Sequence, residues 1–296
     1  METVGSPDAG LLVIDKDSGM TSHDVVASLR RIFAQKRAGH AGTLDPDATG
    51  ILIVGFGRFT RALKYFVGLQ KTYIADFVLG VSTDTMDSSG VEIARSNPRK
   101  VSDDDIEEAI KALTGEIIQV PPMISAIKVG GKKLYEYARE GKEVEIPPRK
   151  VNVYSFEFTR SNIENELRVK ISCSAGTYIR SLANDLGEAL EVGCHLKNLR
   201  RVEIGSFGVQ QSVSIKDVTL NHFLTPASAL SFMHQVTVSE EVEAKISHGS
   251  PLSRVETGAL GEGPFAMINS NGDLLAVYKS AGLEKITPDV VVAATG

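Results

Sequence analysis

The sequence has no tryptophan and only two cysteines, Cys173 and Cys194, among 296 residues. The cysteines show no CxxC spacing and no neighbouring histidine pair, which excludes a disulfide scaffold and a zinc finger. No apolar run is long enough to span a bilayer. The stretch from Met1 to Gly10 is acidic and polar, without the basic and apolar segments of a signal peptide, so a cytoplasmic protein with no membrane contact is expected. Internal repeats and low-complexity tracts are missing. So are GxxxxGK[ST], GxGxxG after a strand, HExxH, GxSxG and any metal spacing among the six histidines. Those absences argue against a P-loop, a dinucleotide fold, a zinc hydrolase and a nucleophile elbow. No metal and no nucleotide or other cofactor is expected. Carboxylate, tyrosine and arginine chemistry survives.

What remains is ordinary globular material, 42% hydrophobic and 23% charged, long enough to bury a full core without staples. The length fits one large domain and a smaller one. Net charge is −5, unlike a typical nucleic-acid binder, yet it is unevenly spread. His23 to Ala75 carries +5, Asp76 to Val120 carries −6, and Val236 onward carries −4. One positive face on an acidic protein would explain this, but charge alone leaves chance clumping the favoured reading.

Periodicity predicts strands at Leu11–Ile14, Ile51–Val54, Thr72–Leu79, Val151–Phe158 and Leu167–Cys173. It predicts helices at His23–Ala34 (capped by Ser22), Phe59–Val67, from Ser102 to about Leu113, and Thr177–Leu190. Gly39 to Gly50 reads as a loop, and Gly130-Gly131 as the turn of a hairpin followed by a short helix. Beyond a boundary near Met233–Val236, a short helix and Gly-punctuated apolar pieces suggest a small β-rich domain. Without regular βαβ alternation, the class is α+β.

The informative stretch runs from Lys36 to Gly50, KRAGHAGTLDPDATG. Its glycines and alanines allow close backbone approach. Asp45 precedes Pro46, which biases it to an extended conformation and stiffens its loop. Lys36 and Arg37 suit phosphate contact. A carboxylate on a rigid loop beside cations fits a nucleophile or general base. From physics alone, an ordinary Asp-Pro turn with solvated charges is the commoner reading.

This stretch closely resembles the GHxGTLDPxATGxL signature of the TruB family of tRNA pseudouridine synthases. Asp15-Lys16-Asp17-Ser18-Gly19-Met20-Thr21-Ser22 resembles the family's DKPxGxTS box, with Asp17 in place of proline. Gly176-Thr177-Tyr178-Ile179-Arg180-Ser181-Leu182-Ala183 through Gly187 resembles its GTYIRSLAxDLG helix. Lys71-Thr72-Tyr73, the run from Pro121 to Lys128, and Leu199-Arg200-Arg201 also match.

The resemblance implies a pseudouridine synthase fold, α+β around a mixed, mostly antiparallel central sheet, with a small C-terminal β-rich PUA-like domain. It implies a catalytic domain over 1–234, with 121–150 an RNA-clamping insertion, and an RNA-binding domain over 235–296. It implies isomerisation of the T-loop uridine at tRNA position 55 by glycosidic cleavage, base rotation and C5–C1′ bonding, without a cofactor. Asp45 is the implied nucleophile. Arg180 is the arginine whose charge keeps it ionised, and Tyr73 stacks on the extruded uracil and assists C5 deprotonation. Stacking of this kind is worth roughly 1–3 kcal/mol per base. His40, Tyr178, Leu199 and Lys16 are the implied substrate contacts, with support of the site equally open for Lys16. Without the resemblance, Tyr73 and Leu199 read as core residues on a strand and a helix.

The implied partner is the T-arm stem-loop of tRNA, met by a monomer through Arg30, Arg31, Lys36, Arg37, Arg58, Arg61 and Lys64. Lys128, Lys132, Lys133, Arg139, Lys142 and Arg149 read equally as a clamp or as a solvated hairpin. The rivals are a carboxylate-dependent nucleoside or glycoside hydrolase, an RNA chaperone with a vestigial site, and a guide-RNA-dependent subunit, which the acidic tail disfavours.

Overall fold

The computed structural model describes residues 7–98, 101–125, 128–142 and 144–292, leaving out the side chains of 128, 129, 133, 135, 138 and 139. The chain forms two compact units, one of Met1–Pro46, Gly50–Val67 and Ser206–Gly296, the other of Asp47–Thr49 and Gly68–Gly205.

The first unit opens with β1 (Ala9–Lys16). Its continuous apolar run is buried on both faces, as expected for a strand covered on each side. Helix α1 (Ser22–Ile32) follows, then β2 (Ala38–Ala41) and β3 (Thr49–Gly57). Strands β1 and β3 are antiparallel, β2 adds to β3 antiparallel, and the short strand Val213–Ser214 runs parallel to β1. Leu12, Ile14, Leu52, Val54 and Phe56 bury one face of these strands against Val25, Val26, Leu29 and Phe33.

In the second unit, β4 (Lys71–Leu79) is central. Helix α2 (Asp103–Ala112) starts on a capping box of Ser102 and Asp105, which satisfies two backbone donors reciprocally. Then come β5 (Gly115–Gln119), β6 (Arg149–Arg160), β7 (Glu166–Cys173), α3 (Ile179–Ala189) and β8 (Cys194–Ile204). The strand order is β8-β4-β7-β6-β5, antiparallel throughout. Helix α3 comes very close to β8, because a Cβ at Gly187 would lie 2.2 Å from the Cys194 nitrogen. Both cysteines are buried and free.

The chain is back in the first unit from Ser206, and there it adds β9 (His234–Thr237), α4 (Glu240–Ser247), β10 (Phe265–Ile268), β11 (Leu274–Ser280) and β12 (Lys285–Val291). These strands and Leu252–Ser253 form a five-stranded sheet over a core that includes Ile246, Phe265, Met267 and Tyr278. The expected α+β class with mixed, mostly antiparallel pairing and a C-terminal β-rich sheet is what the strands form.

Four local expectations need correction. Thr21, not Ser22, caps α1, because Asp24 stands three residues after Thr21 and completes the capping box. The stretch read as a loop from Gly39 contains most of β2, whose small residues hide the alternation. Leu199 lies on strand β8 and not on a helix. Phe59–Val67 is helical, but as a 3-10 turn at Arg58–Leu63 leading into a single α turn.

Among the described residues, no helix is long and apolar enough to cross a membrane.

Candidate active site

The Asp45 loop is held from both sides. Ser22, relieved of capping, accepts a hydrogen bond from the Leu44 N–H at 2.9 Å and donates to the Leu44 carbonyl at 3.2 Å. On the other flank, Lys16 is completely buried. Its ammonium donates to the carbonyls of Asp17, Met20 and Pro46 at 2.9, 2.8 and 2.9 Å. The Gly19 N–H also donates to the Pro46 carbonyl, at 3.0 Å. The residue before Asp45 and the residue after it are therefore pinned to the end of β1, to the turn beyond it and to the start of α1. Asp45 itself is half-buried, as is His40, which pairs with Val54 across β2 and β3. The box Asp15–Ser22 thus acts as the cradle of the aspartate loop, and its Lys16 supports the loop with all three ammonium protons engaged.

In the second unit, Tyr73 lies near the start of β4, flanked by Ile171 of β7 and Arg201 of β8. Leu199 pairs with Ala75 two positions along, so Tyr73, Ala75, Leu199 and Arg201 share one face of the sheet. Lys71 is on that face as well. Its burial, then the charge of Arg201, push its pKa down to about 8.

Tyr178 is the residue just before α3, and its backbone is clasped by one side chain. Its N–H donates to Gln119 Oε1 at 2.8 Å, and its carbonyl accepts from Gln119 Nε2 at 3.1 Å. Arg180, in the first turn of α3, is 5% exposed. Its guanidinium donates to the Thr85 and Ile124 carbonyls at 3.4 and 2.9 Å and lies 3.4 Å from Asp87 Oδ2.

The family model for the TruB pseudouridylate synthase N-terminal domain matches residues 30–179, and that for the tRNA pseudouridylate synthase B C-terminal domain matches 180–230. The chain belongs to the TruB family. It is 41% identical over 293 residues to tRNA pseudouridine synthase B of Leifsonia xyli, covering 96% of this chain and 97% of that one. It is 42% identical over 285 residues to the protein of the same name from Mycobacterium leprae, covering 92% and 88%. A chain in the crystal structure of a Cbf5-Nop10-Gar1 complex superposes with a TM-score of 0.76 at 26% identity, covering 97% of this chain and 85% of that one.

Within the family frame, sequence reasoning missed three supporting side chains. Asp87 sits in an ordinary-looking acidic turn and Gln119 in an edge strand. Their partners lie 93 and 59 residues away in sequence, so no local pattern announces either. Ser22, expected at the helix cap, bonds the Leu44 backbone instead. The basic segment also differs from a bare row of phosphate ligands. Lys64 and Tyr65 both engage Asp289, Arg30 donates to the Ala38 carbonyl at 2.5 Å, and Arg37 donates to Thr60 at 3.0 Å. Beyond the hairpin and the short helix Leu134–Arg139, Glu140 pairs back to Lys132 and also to Lys142. The side chains of Lys128, Lys133 and Arg139 lie outside the described residues.

Proposed function

We propose that this TruB-family pseudouridine synthase isomerises the T-loop uridine at position 55 of tRNA, with Asp45 as nucleophile. The reaction moves C1′ of the ribose from N1 to C5. The C5 proton leaves and N1 takes one up, so the RNA mass is unchanged. Arg180, oriented by Asp87 and two backbone carbonyls, supplies the positive charge that keeps the acid ionised. Tyr73 stacks on the extruded uracil and takes part in removing the C5 proton. His40, Tyr178 and Leu199 contact the substrate. Lys16 contributes by holding the Asp45 loop.

The observation that carries this reading is the aspartate loop. A half-buried carboxylate whose two neighbouring residues are both tied down is costly for a plain turn and useful for a nucleophile that must meet one carbon atom. The test is release of tritium from [5-3H]uridine in unmodified tRNA, comparing wild type with Asp45→Asn. Release should fall by at least a thousandfold with the variant still folded. Equal release would remove Asp45 from the chemistry. Mass spectrometry of the same reaction separates isomerisation from a hydrolase, which would liberate free uracil.

A further inference from the structure

The turn between Thr83 and Gly90 is built around one oxygen of Asp87. Oδ1 accepts from Thr85 Oγ1 at 2.7 Å, from Ser89 Oγ at 2.5 Å and from the Ser89 N–H at 3.0 Å. Thr83 Oγ1 donates to the Asp87 carbonyl at 2.7 Å. The backbone is held on both sides, since the Leu196 N–H donates to Met86 O at 3.0 Å and the Ser88 N–H to Leu196 O at 2.9 Å. Met86, immediately before Asp87, has φ +63°. That left-handed conformation is uncommon outside glycine and persists only where the surroundings impose it. A Cβ at Gly90 would lie 2.3 Å from both Thr85 Oγ1 and Asp84 Oδ1, so the turn closes this tightly only with glycine there.

The consequence is directional. With Oδ1 occupied by three donors, the carboxylate cannot rotate without breaking them, and Oδ2 is the oxygen left toward Arg180, 3.4 Å away. Thr85 acts twice, because its hydroxyl holds Asp87 while its carbonyl accepts from Arg180 Nη1. Thr85 is buried, whereas Ser89 is exposed. Water can replace the Ser89 hydroxyl but not the Thr85 hydroxyl.

We propose that Thr85, with Ser89 in a smaller part, is a positioning residue for pseudouridine formation, acting through Asp87 to fix the Arg180 guanidinium. The proposal rests on the catalytic role of Arg180 given above. It predicts an effect on turnover and not on RNA affinity, because neither hydroxyl belongs to a phosphate-binding surface. It also predicts that the effect travels only through Asp87.

The experiment measures kcat and KM for tritium release, with urea midpoints for every variant. Thr85→Val keeps the shape and removes the hydroxyl. It should lower kcat about tenfold with KM within twofold, and Thr85→Ser should recover most of the loss. Ser89→Ala should lower kcat about twofold to threefold. In an Asp87→Ala background, Thr85→Val should cost nothing further, since the carboxylate it orients is gone. Losses that multiply in the double variant, a KM effect without a kcat effect, or no rescue by serine would each overturn the proposal. So would full turnover by Asp87→Ala. Activity surviving in Asp45→Asn is a separate result and would instead defeat the functional reading, taking this proposal with it.

Discussion

Replacing Lys16 by methionine separates a loop support from a phosphate ligand. The substitution keeps the apolar stem in its buried slot and deletes the ammonium. Three carbonyls then lose a charged donor held at 2.8–2.9 Å. Hydrogen bonds to a charged group are worth about 1.5–3 kcal/mol each. Against that sum stands the several kcal/mol no longer spent on dehydrating an ammonium in a fully buried site. The net loss comes to about 2–4 kcal/mol. Pro46 O keeps the Gly19 N–H as a donor, so the loop loosens without unravelling. Urea denaturation should show a midpoint shift of that size with the slope unchanged. Tritium release by the folded protein should show a lower kcat, because Asp45 is no longer fixed from its C-terminal side. A lysine that bound phosphate would behave in the opposite way, with unchanged stability, a raised KM and a salt dependence shallower by about one charge. A Lys16→Met protein with the wild-type urea midpoint and wild-type kcat would refute the argument.

Three further outcomes follow from charges placed by the fold. Burial and Arg201 lower the Lys71 pKa to about 8. Between pH 8 and the unfolded value near 10.4, the unfolded chain therefore binds more protons, and stability should rise with pH by up to about 2 kcal/mol. Urea midpoints of Lys71→Met should lack that rise, and parallel pH curves for the two proteins would contradict the assignment. Asp289 is held down to about 2, first by Lys64 and then by Tyr65. Its contribution is present above about pH 4 and lost as pH falls toward 2, so Asp289→Asn should cost about 1–2 kcal/mol at pH 7 and nothing near pH 2, as read by thermal melts across that range. Glu140 neutralises Lys132 of the hairpin and Lys142 beyond it, so Glu140→Gln should tighten tRNA binding severalfold at low salt with a steeper salt slope. Unchanged Kd at every salt concentration would mean those lysines do not meet RNA.

Much of the fold is legible in the chain. The apolar run of β1, the Ser102-to-Asp105 capping box and the alternation of β6 and β7 each specify an element from local physics, and each formed where expected. The signature around Asp45 and the helix opening with Tyr178 and Arg180 pointed to the right family. Elements built from small or mixed residues were less visible. Strand β2 hid in alanine and glycine, and β8 carries Leu199 in a run whose alternation is broken by two register shifts. Thr21 and Ser22 shared one hydroxyl signal. Which of them capped α1 depended on which could pair with Asp24, and which was left over depended on where Leu44 came to rest.

The sequence by itself determined the family signature, the Asp-Pro step in its loop and the class of fold, because these follow from residue type and short spacing. Only tertiary structure decided what holds the signature residues still. Lys16 reaches Pro46 across 30 positions, Gln119 clasps Tyr178 across 59, and Thr85 offers its carbonyl to Arg180 across 95. Hydrogen bonds of that reach form only after β-strands far apart in the chain have paired. No local propensity encodes them, and it is the packed core that sets their directions.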